Sequence, residues 1–279
     1  NKIKAGTYSS IKRCFITGVS PVTMDDLTSG FNIGTNITID TLFNSLVGFN
    51  EKELREMLVY YKLHEVFKLS VDDMLGMMRP FYNHYCFCKS KLADCVFNPD
   101  MVLYFMKSFL LHGEKPNTIV DPNIRTDFNK LAYLIRLDHG LGENFSVIKE
   151  IAEQGEITTD IATHFSALEM TDVRNFKSLL FYFGLLSIKG VDMVGRPILH
   201  VPNLVVREQL FSFLIRGYIK HDIFKIDMNR MTMLFENMAF RGDWKPLFNF
   251  IAEAIREQSR IREYIEGEAH IKGFLLAYL

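Results

Sequence analysis

The sequence predicts a mainly α-helical fold with a minor β component. From Leu42 onward, apolar residues recur at the three-to-four-residue spacing of helices that bury one face. Two short apolar runs between residues 185 and 201 flank a polar, glycine-containing stretch, which predicts one β-hairpin. A further β-branched run at residues 14–19 ends in glycine and valine, and it predicts a buried strand near the start.

Length and charge bound the class of protein. The chain has 279 residues and is 48% hydrophobic, enough for one large domain or two to three small ones. Its 32 basic and 33 acidic residues nearly cancel, so no overall field favours nucleic acid or an anionic membrane. Apolar runs such as residues 176–186 are shorter than the roughly 20 residues of a membrane span. We therefore expect no membrane segment, no export signal and a cytoplasmic location.

The strand at residues 14–19 needs partners. The first hundred residues contain no comparable set of β-branched runs. Either residues before Asn1 complete its sheet, or the segment is not a strand; we favour the first interpretation.

Capping residues predict where the next helices begin. Asn50 with Glu53 has the spacing of a capping box, and Ser70 with Asp73 has the same spacing. The second of these helices is expected to end near Pro80. Asn98 followed by proline predicts a third helix start.

The segment from 171 to 216 has its own pattern. Thr171 is the expected cap of a helix that Gly184 ends, and a hairpin with Gly190 and Gly195 in its loop follows. Another helix is expected after residues 202–203. Helix, hairpin and helix together outline a winged-helix module. Helices are also predicted after Asp243 and over 262–279.

Several clusters could carry chemistry, and each also has a simpler reading. No glycine-rich loop with lysine is present, and the glycines at 30 and 34 favour a turn. The residue types of a zinc site occur together, but Cys-x-Cys spacing favours ordinary packing. The acidic pairs at residues 25–26 and 72–73 are typical of helix starts, where they complement the helix dipole. The four residues of the zinc-like cluster are His84, Cys86, Cys88 and Cys95.

A winged helix can read DNA through its second helix. Between Thr171 and Gly184, however, only Arg174 and Lys177 are basic. This composition favours a packing or regulatory module over a base-reading one.

A series of blocks along nearly the whole chain resembles one family. The first are FITGVSP at 15–21 and DDLTSGFNI at 25–33. Later blocks, in order, are FNPDMVLYF at 97–105, VDPN at 120–123, SLLFYFG at 178–184, VPN at 201–203, GDW at 242–244, GE at 267–268 and GFL at 273–275. Their order resembles that of the AAA-ATPase-like proteins of the Bacteroides type, which usually carry a C-terminal PD-(D/E)xK nuclease domain.

The resemblance implies an architecture and a division of the chain. It implies the end of a P-loop α/β core at 1–48, a helical lid at 49–165, a winged-helix-like region at 166–240 and C-terminal helices at 241–279. In that family the phosphate-binding lysine precedes the first block, and the nuclease residues follow the last. This chain is thus expected to contain neither catalytic centre, and we expect it to be inactive by itself as a catalyst.

The resemblance also implies ligands and site residues. ATP and Mg²⁺ are implied as cofactors of the family, although we expect neither to bind this chain tightly. Thr17, with Ser20 as second choice, would sense the terminal phosphate through a hydroxyl hydrogen bond. His84 departs from the family, where glycine is expected, so we expect the turn there to be built differently.

Two functions follow from the sequence. The first is a regulatory and coupling module of an ATP-dependent nuclease-type protein, with nucleic acid as a partner through the nuclease domain. The alternative is a winged-helix-like module that binds nucleic acid or protein without nucleotide dependence. Homo-oligomer formation stays open.

Overall fold

The protein is mainly helical with a small antiparallel sheet, as the sequence predicts. The computed structural model describes residues 10–15, 17–18, 35–113, 116, 142–163, 165, 169–220 and 227–257. The chain divides into two compact units, Asn1–Gln209 and Leu210–Leu279.

In the order of the chain, the first unit begins with a helical region and continues with a sheet region. The helical region contains a 3-10 helix at Thr41–Phe43, α1 at Glu51–Tyr60, α2 at Leu63–Phe67, α3 at Val71–Tyr82 and α4 at Pro99–His112. The sheet region contains α5 at Glu143–Gln154, β1 at Glu156–Thr158, α6 at Val173–Tyr182, β2 at Ser187–Val191 and β3 at Pro197–His200. Helix α7, Leu204–Lys220, runs across the boundary into the second unit, where α8 (Met228–Arg241) and α9 (Lys245–Glu257) follow.

The predicted helix starts in the helical region are confirmed. Asn50 and Glu53 form a reciprocal capping box at α1, and Ser70 and Asp73 form another at α3. Asn98 caps α4 through the Met101 amide, with proline at the first turn. These side chains satisfy amides that the first turn of a helix leaves without partners.

Helix α3 ends later than the sequence predicts. It continues through Pro80 to Tyr82, and the Asn83 amide still donates to the Arg79 carbonyl at 3.3 Å. The two added residues include Tyr82, which is 1% exposed and whose ring lies 5.9 Å from that of Phe105 in an edge-to-face contact. Burial of a large aromatic side chain outweighs the single backbone hydrogen bond that proline removes.

One apolar core joins α1, α3 and α4. Fourteen buried residues form it, and they come from five separate segments of the sequence. They are Leu54, Leu58, Leu63, Met74, Leu75, Met78, Tyr82, Phe97, Met101, Val102, Phe105, Met106, Phe109 and Val205. Val205 belongs to the start of α7, so this helix is anchored in the same core.

The sheet has the strand order β1-β3-β2, and both pairings are antiparallel. The predicted hairpin is confirmed as β2 and β3, with an irregular register between Ile188 and Gly190. Sequence analysis missed β1. This strand has three residues, and its middle residue, Ile157, pairs with Leu199 of β3. Such a short strand has too few residues to show an alternating pattern.

The cap of α6 is Asp172 and not Thr171. The Asp172 carboxylate accepts hydrogen bonds from the amides of Arg174 and Asn175, whereas the Thr171 carbonyl accepts one from Asn144. A carboxylate complements the positive end of the helix dipole better than a hydroxyl does. Gly184 follows the helix at φ +72°, as the stop signal predicts.

The second unit has a small core of its own. Met231, Leu247 and Ile251 are buried between α8 and α9. The guanidinium of Arg230 lies 4.9 Å from the ring centroid of Phe250, where it covers one face of that ring. The predicted helix after Asp243 is thus confirmed as α9; the one predicted over 262–279 lies outside the described residues.

The predicted strand at 14–19 is not formed by the residues described there. Cys14, Phe15, Thr17 and Gly18 are exposed and belong to no strand, while residues 16 and 19 lie outside the description. A strand requires a paired neighbour for its backbone groups, and among the described residues β1, β3 and β2 form a sheet that does not include this segment.

His84 adopts a left-handed conformation with φ +73°. The expectation that histidine requires a differently built turn is therefore wrong, because the chain keeps the positive φ that glycine favours. The Asn83 side chain accepts a hydrogen bond from the His84 amide at 2.7 Å, which supports this turn locally. For a residue with a Cβ, this conformation costs about 1–2 kcal/mol.

We expect His84→Gly to raise the free energy of unfolding by about 1 kcal/mol, because it removes that strain at an exposed position. His84→Ala is the matched control, since it removes the imidazole but keeps the Cβ. Urea unfolding of both variants measures the difference. If alanine and glycine stabilise the protein equally, the imidazole of His84, and not its backbone conformation, destabilises the wild type.

Candidate functional site

The segment that joins α3 to α4, residues 83–98, is the candidate functional site; we call it the α3–α4 loop. Its two ends run antiparallel, and Tyr85 and Val96 exchange backbone hydrogen bonds of 3.2 and 2.8 Å. Phe97 pairs in the same way with Phe49, at 2.8 and 3.1 Å. The loop is therefore a fixed, hydrogen-bonded structure.

Asn44 holds the two arms of the loop together. Its side-chain oxygen accepts hydrogen bonds from the amides of Phe87 at 2.9 Å and Cys88 at 3.0 Å. Its amide nitrogen donates to the Asp94 carbonyl at 2.9 Å. The side chain is 2% exposed, so these bonds are made away from competing water.

Gly48 allows close approach between the 3-10 helix segment and the loop. A Cβ at this position would lie 2.6 Å from the Cβ of Val96 and 3.1 Å from the carbonyl oxygen of Phe97. Both distances are shorter than ordinary contacts of a side-chain carbon. The absence of a side chain at residue 48 thus permits the pairing of Phe49 with Phe97.

Three cysteines lie in the loop. Cys86 and Cys88 are buried, and Cys95 is partly exposed. The neighbouring Cys86 thiol lowers the pKa of Cys95 to about 7, whereas Cys95 and burial raise the pKa of Cys86. Burial opposes ionisation of Cys88, but the hydroxyls of Ser90 and Thr41 contact its sulfur at 3.2 and 3.3 Å and lower its pKa.

These thiols do not combine with His84 into a metal site. His84 is exposed, and its turn lies on the other side of the Tyr85–Val96 bridge from the cysteines. Across the described ranges, no group of three or more His, Cys, Asp and Glu side chains is arranged to hold a metal ion.

The loop also contacts the sheet region. The Cys86 amide donates to the Ser187 hydroxyl at 2.7 Å, and the Ile188 amide donates to the Cys86 carbonyl at 3.1 Å. The ring of Phe87 meets Phe181 of α6 edge to face, with centroids 6.1 Å apart. The chain before Pro99 is thereby joined to β2 and to α6.

Two further contacts complete the attachment. The Lys89 ammonium donates to the Gly195 carbonyl in the β2–β3 turn at 3.1 Å. The Asn203 side chain donates to the Asn83 carbonyl at 3.1 Å and accepts from the Val206 amide at 3.1 Å. Asn203 therefore caps the start of α7 and fixes it to the loop at the same time.

An open depression of about 310 Å³ lies beside the loop. Its lining includes Asn44, and Lys91 and Asp94 form an ion pair of 3.1 Å at its edge. Because these two charges neutralise each other, the depression offers no net charge to a phosphate or a cation.

Of the two residues that the resemblance assigns to nucleotide sensing, only Thr17 lies in the described part of the chain. Thr17 is exposed and outside any strand, and Ser20 lies outside the described residues, as do residues 25–26 and 30–34. A phosphate needs several converging backbone amides and a cation. The phosphate-sensing role of Thr17 and Ser20 stays a prediction.

The acidic pair at residues 72–73 has the structural role that the sequence favours. Asp73 belongs to the capping box of α3, and the Ser70 hydroxyl and amide lower its pKa. Asp72 pairs with Arg55 at 2.6 Å, and Glu51 contacts both Arg55 and Arg79. The result is a surface ion-pair network between α1 and α3.

Helix α6 is unsuited to reading DNA bases. Six of its ten residues are buried, and they occur on several sides of the helix: Asn175, Phe176, Ser178, Leu179, Leu180 and Phe181. Arg174 is exposed and Lys177 only half-buried. A helix that enters the major groove needs a polar face free of protein contacts.

Sequence analysis did not single out Asn44, Gly48, Ser187 or Asn203. Each acts on a partner far along the chain, up to 120 residues away for Asn203. The sequence pattern at residues 202 and 203 predicted that a helix begins after them. It did not predict that Asn203 bonds the start of this helix to the α3–α4 loop.

Comparison of the chain with protein-family models, with curated proteins and with solved structures gave no match. In the described part of the chain, no helix has the length and apolar character needed to cross a membrane.

We expect Gly48→Ala to lower the free energy of unfolding by about 1–3 kcal/mol, because the added methyl group overlaps Val96. Gly76→Ala is the matched control in α3, where an added Cβ meets nothing within 4 Å. That variant is expected to gain about 0.5–1 kcal/mol from helix propensity. Chemical unfolding should show a lower free energy of unfolding for Gly48→Ala and a higher one for Gly76→Ala. A change in the same direction for both variants would contradict the close approach at residue 48.

We expect Asn44→Ala to lower the free energy of unfolding by about 2–4 kcal/mol, because it leaves the Phe87 and Cys88 amides and the Asp94 carbonyl without their partner. Asn229→Ala, on an exposed position of α8, is the control and should change stability by less than about 0.5 kcal/mol. Thermal and urea unfolding report both. A loss below 1 kcal/mol for Asn44→Ala would mean that water replaces the amide.

Proposed function

We propose that this chain is a coupling module of an ATPase-derived, nuclease-type protein and is not itself a catalyst. Residues 49–165, which include the helical region, correspond to the lid of that architecture, and residues 166–240, which include α6 and the β2–β3 hairpin, to the winged-helix-like part. The order of the sequence blocks supports the family. The contacts of the α3–α4 loop support the coupling role.

One observation carries the proposal: the Cys86 backbone is bonded to β2 through both its amide and its carbonyl. Backbone hydrogen bonds and the Phe87–Phe181 contact join the helical region directly to the sheet region. A displacement of α3 therefore cannot leave β2 unmoved without breaking buried hydrogen bonds, each of which costs about 1–3 kcal/mol when left unmade. A connection of this kind transmits movement between two regions.

The winged-helix assignment of residues 166–240 is part of the proposal. The order of α6, the β2–β3 hairpin and α7 supports it, and so does the three-stranded antiparallel sheet to which the hairpin belongs. The buried α6 fits a winged helix that packs against other protein. ATP and Mg²⁺ would act in the ATPase core of the family, so no step here passes through them.

The alternative function, a protein-interaction module without nucleotide dependence, is favoured by the tip of the hairpin. Met193 and Val194 in the β2–β3 turn are exposed, at 106% and 75%. A turn that contacts DNA backbone phosphates is usually basic, whereas this tip is apolar with one internal Asp192–Arg196 pair at 2.8 Å. Such a tip suits contact with an apolar protein surface.

Hydrogen exchange on the complete gene product tests the coupling. We expect Mg-ATP to slow amide exchange in β2 and β3, and Ser187→Ala to remove most of that effect there while α3 and α4 keep theirs. The variant deprives the Cys86 amide of its acceptor. Exposed Ser45→Ala is the control and should respond like the wild type.

No effect of Mg-ATP on β2 and β3 in the wild type would reject the coupling role and favour the nucleotide-independent alternative. A full response in Ser187→Ala would show that the connection lies in other contacts of the loop.

A further inference from the structure

We propose that Cys86 and Cys95 form a peroxide-reactive dithiol that closes to an intramolecular disulfide across the α3–α4 loop. This inference stands apart from the coupling role, because it depends only on the geometry and chemistry of the loop. Both residues carry free thiols in the structure.

The backbone places the two cysteines opposite each other. Tyr85 and Val96 exchange both of their hydrogen bonds, as in a hydrogen-bonded pair of antiparallel strands, although the bridge is isolated. Cys86 is the next residue on one arm and Cys95 on the other, so the register of this bridge gives them the positions of a non-hydrogen-bonded pair. In such pairs the Cα atoms are typically about 4.5 Å apart, within the roughly 4.4–6.8 Å range of disulfides.

Asn44 keeps the two arms at this separation. Its bonds to the amides of Phe87 and Cys88 hold the arm that follows Cys86. Its bond to the Asp94 carbonyl holds the arm that precedes Cys95. Formation of the S–S bond therefore requires side-chain rotation and little movement of the backbone.

The two thiols differ in a way that assigns their roles. Cys95 is partly exposed, whereas Cys86 is 0% exposed. The adjacent Cys86 thiol favours the Cys95 thiolate; burial and the neighbouring Asp94 carboxylate oppose it without outweighing it. Cys88, which also faces Cys86, is turned toward the hydroxyls of Thr41 and Ser90. Cys95 is thus the attacking thiol and Cys86 the resolving one.

The reaction balances with hydrogen peroxide as oxidant. The Cys95 thiolate attacks one peroxide oxygen, the O–O bond breaks, and the leaving hydroxide takes up a proton to become water. Cys95 is then a sulfenic acid. Cys86 loses its proton, its sulfur attacks the Cys95 sulfur, and the S–O bond breaks with release of a second water. Two thiols are oxidised by two electrons, and one peroxide is reduced to two waters.

Oxidation at this place reaches the sheet region. The amide and carbonyl of Cys86 are the groups that bond Ser187 and Ile188. A covalent link from Cys86 to Cys95 removes the Cys86 thiol from its contacts with the carbonyls of Cys88 and Lys91, at 3.3 and 3.5 Å. Oxidation of the pair therefore changes the loop at the residue that is hydrogen-bonded to β2.

Peptide mapping of the reduced, folded chain after brief treatment with hydrogen peroxide tests the proposal. Free thiols are blocked with N-ethylmaleimide, and trypsin then cuts at Lys89 and Lys91, which separates Cys86 from Cys95. The variant Cys88→Ser leaves one thiol on the first peptide. We expect the two peptides linked to each other within one chain, in both the wild type and this variant.

Two further variants separate the roles. Cys86→Ser should trap Cys95 as a sulfenic acid that dimedone labels, and Cys95→Ser should give no linked peptide. At pH 7, Cys95 should react with peroxide about tenfold faster than free cysteine, because its thiolate fraction is larger. The rate should fall as the pH drops through about 7, as protonation of Cys95 removes the thiolate.

Mapping of a Cys88–Cys95 link, links only between separate chains, or a Cys95 rate no faster than that of free cysteine would each overturn the proposal. In the wild type, fragment ions of the linked peptides show whether N-ethylmaleimide lies on Cys86 or on Cys88. The assignment therefore does not depend on the folding of the Cys88→Ser variant.

Discussion

The hydrogen-bonded α3–α4 loop is the constraint on which the first unit depends. It closes the apolar core of the helical region, since Phe97 at its end is fully buried there. It also bonds β2 through Cys86 and the start of α7 through Asn83. Buried backbone groups must be paired, and here the pairing is shared among segments that are distant in sequence.

This arrangement gives polar side chains the task of joining apolar regions. Asn44 and Asn203 each use both their oxygen and their amide nitrogen, and each connects two segments. A buried amide of this kind adds geometry that apolar packing by itself does not fix, because hydrogen bonds are directional. The same directionality keeps the cysteines in register across the loop and makes their chemistry a property of the fold.

The sheet region resembles a winged helix in the order of its elements, but its exposed surface is not typical of a module that reads DNA bases. Helix α6 is buried on several sides, and the hairpin tip presents Met193 and Val194 to solvent. These two facts favour contact with protein over contact with bases. They do so independently of the family resemblance, which implies nucleic acid as a partner only through the nuclease domain.

The sequence by itself determined the helical character of the chain, the capping residues at Asn50, Ser70 and Asn98, and the β2–β3 hairpin. These features depend on residues within about four positions, so local periodicity and turn chemistry report them. It failed for β1 and for the end of α3, where pairing and aromatic burial override local signals. The site was decided only by tertiary structure, because Asn44, Ser187 and Asn203 bond to partners tens of residues away.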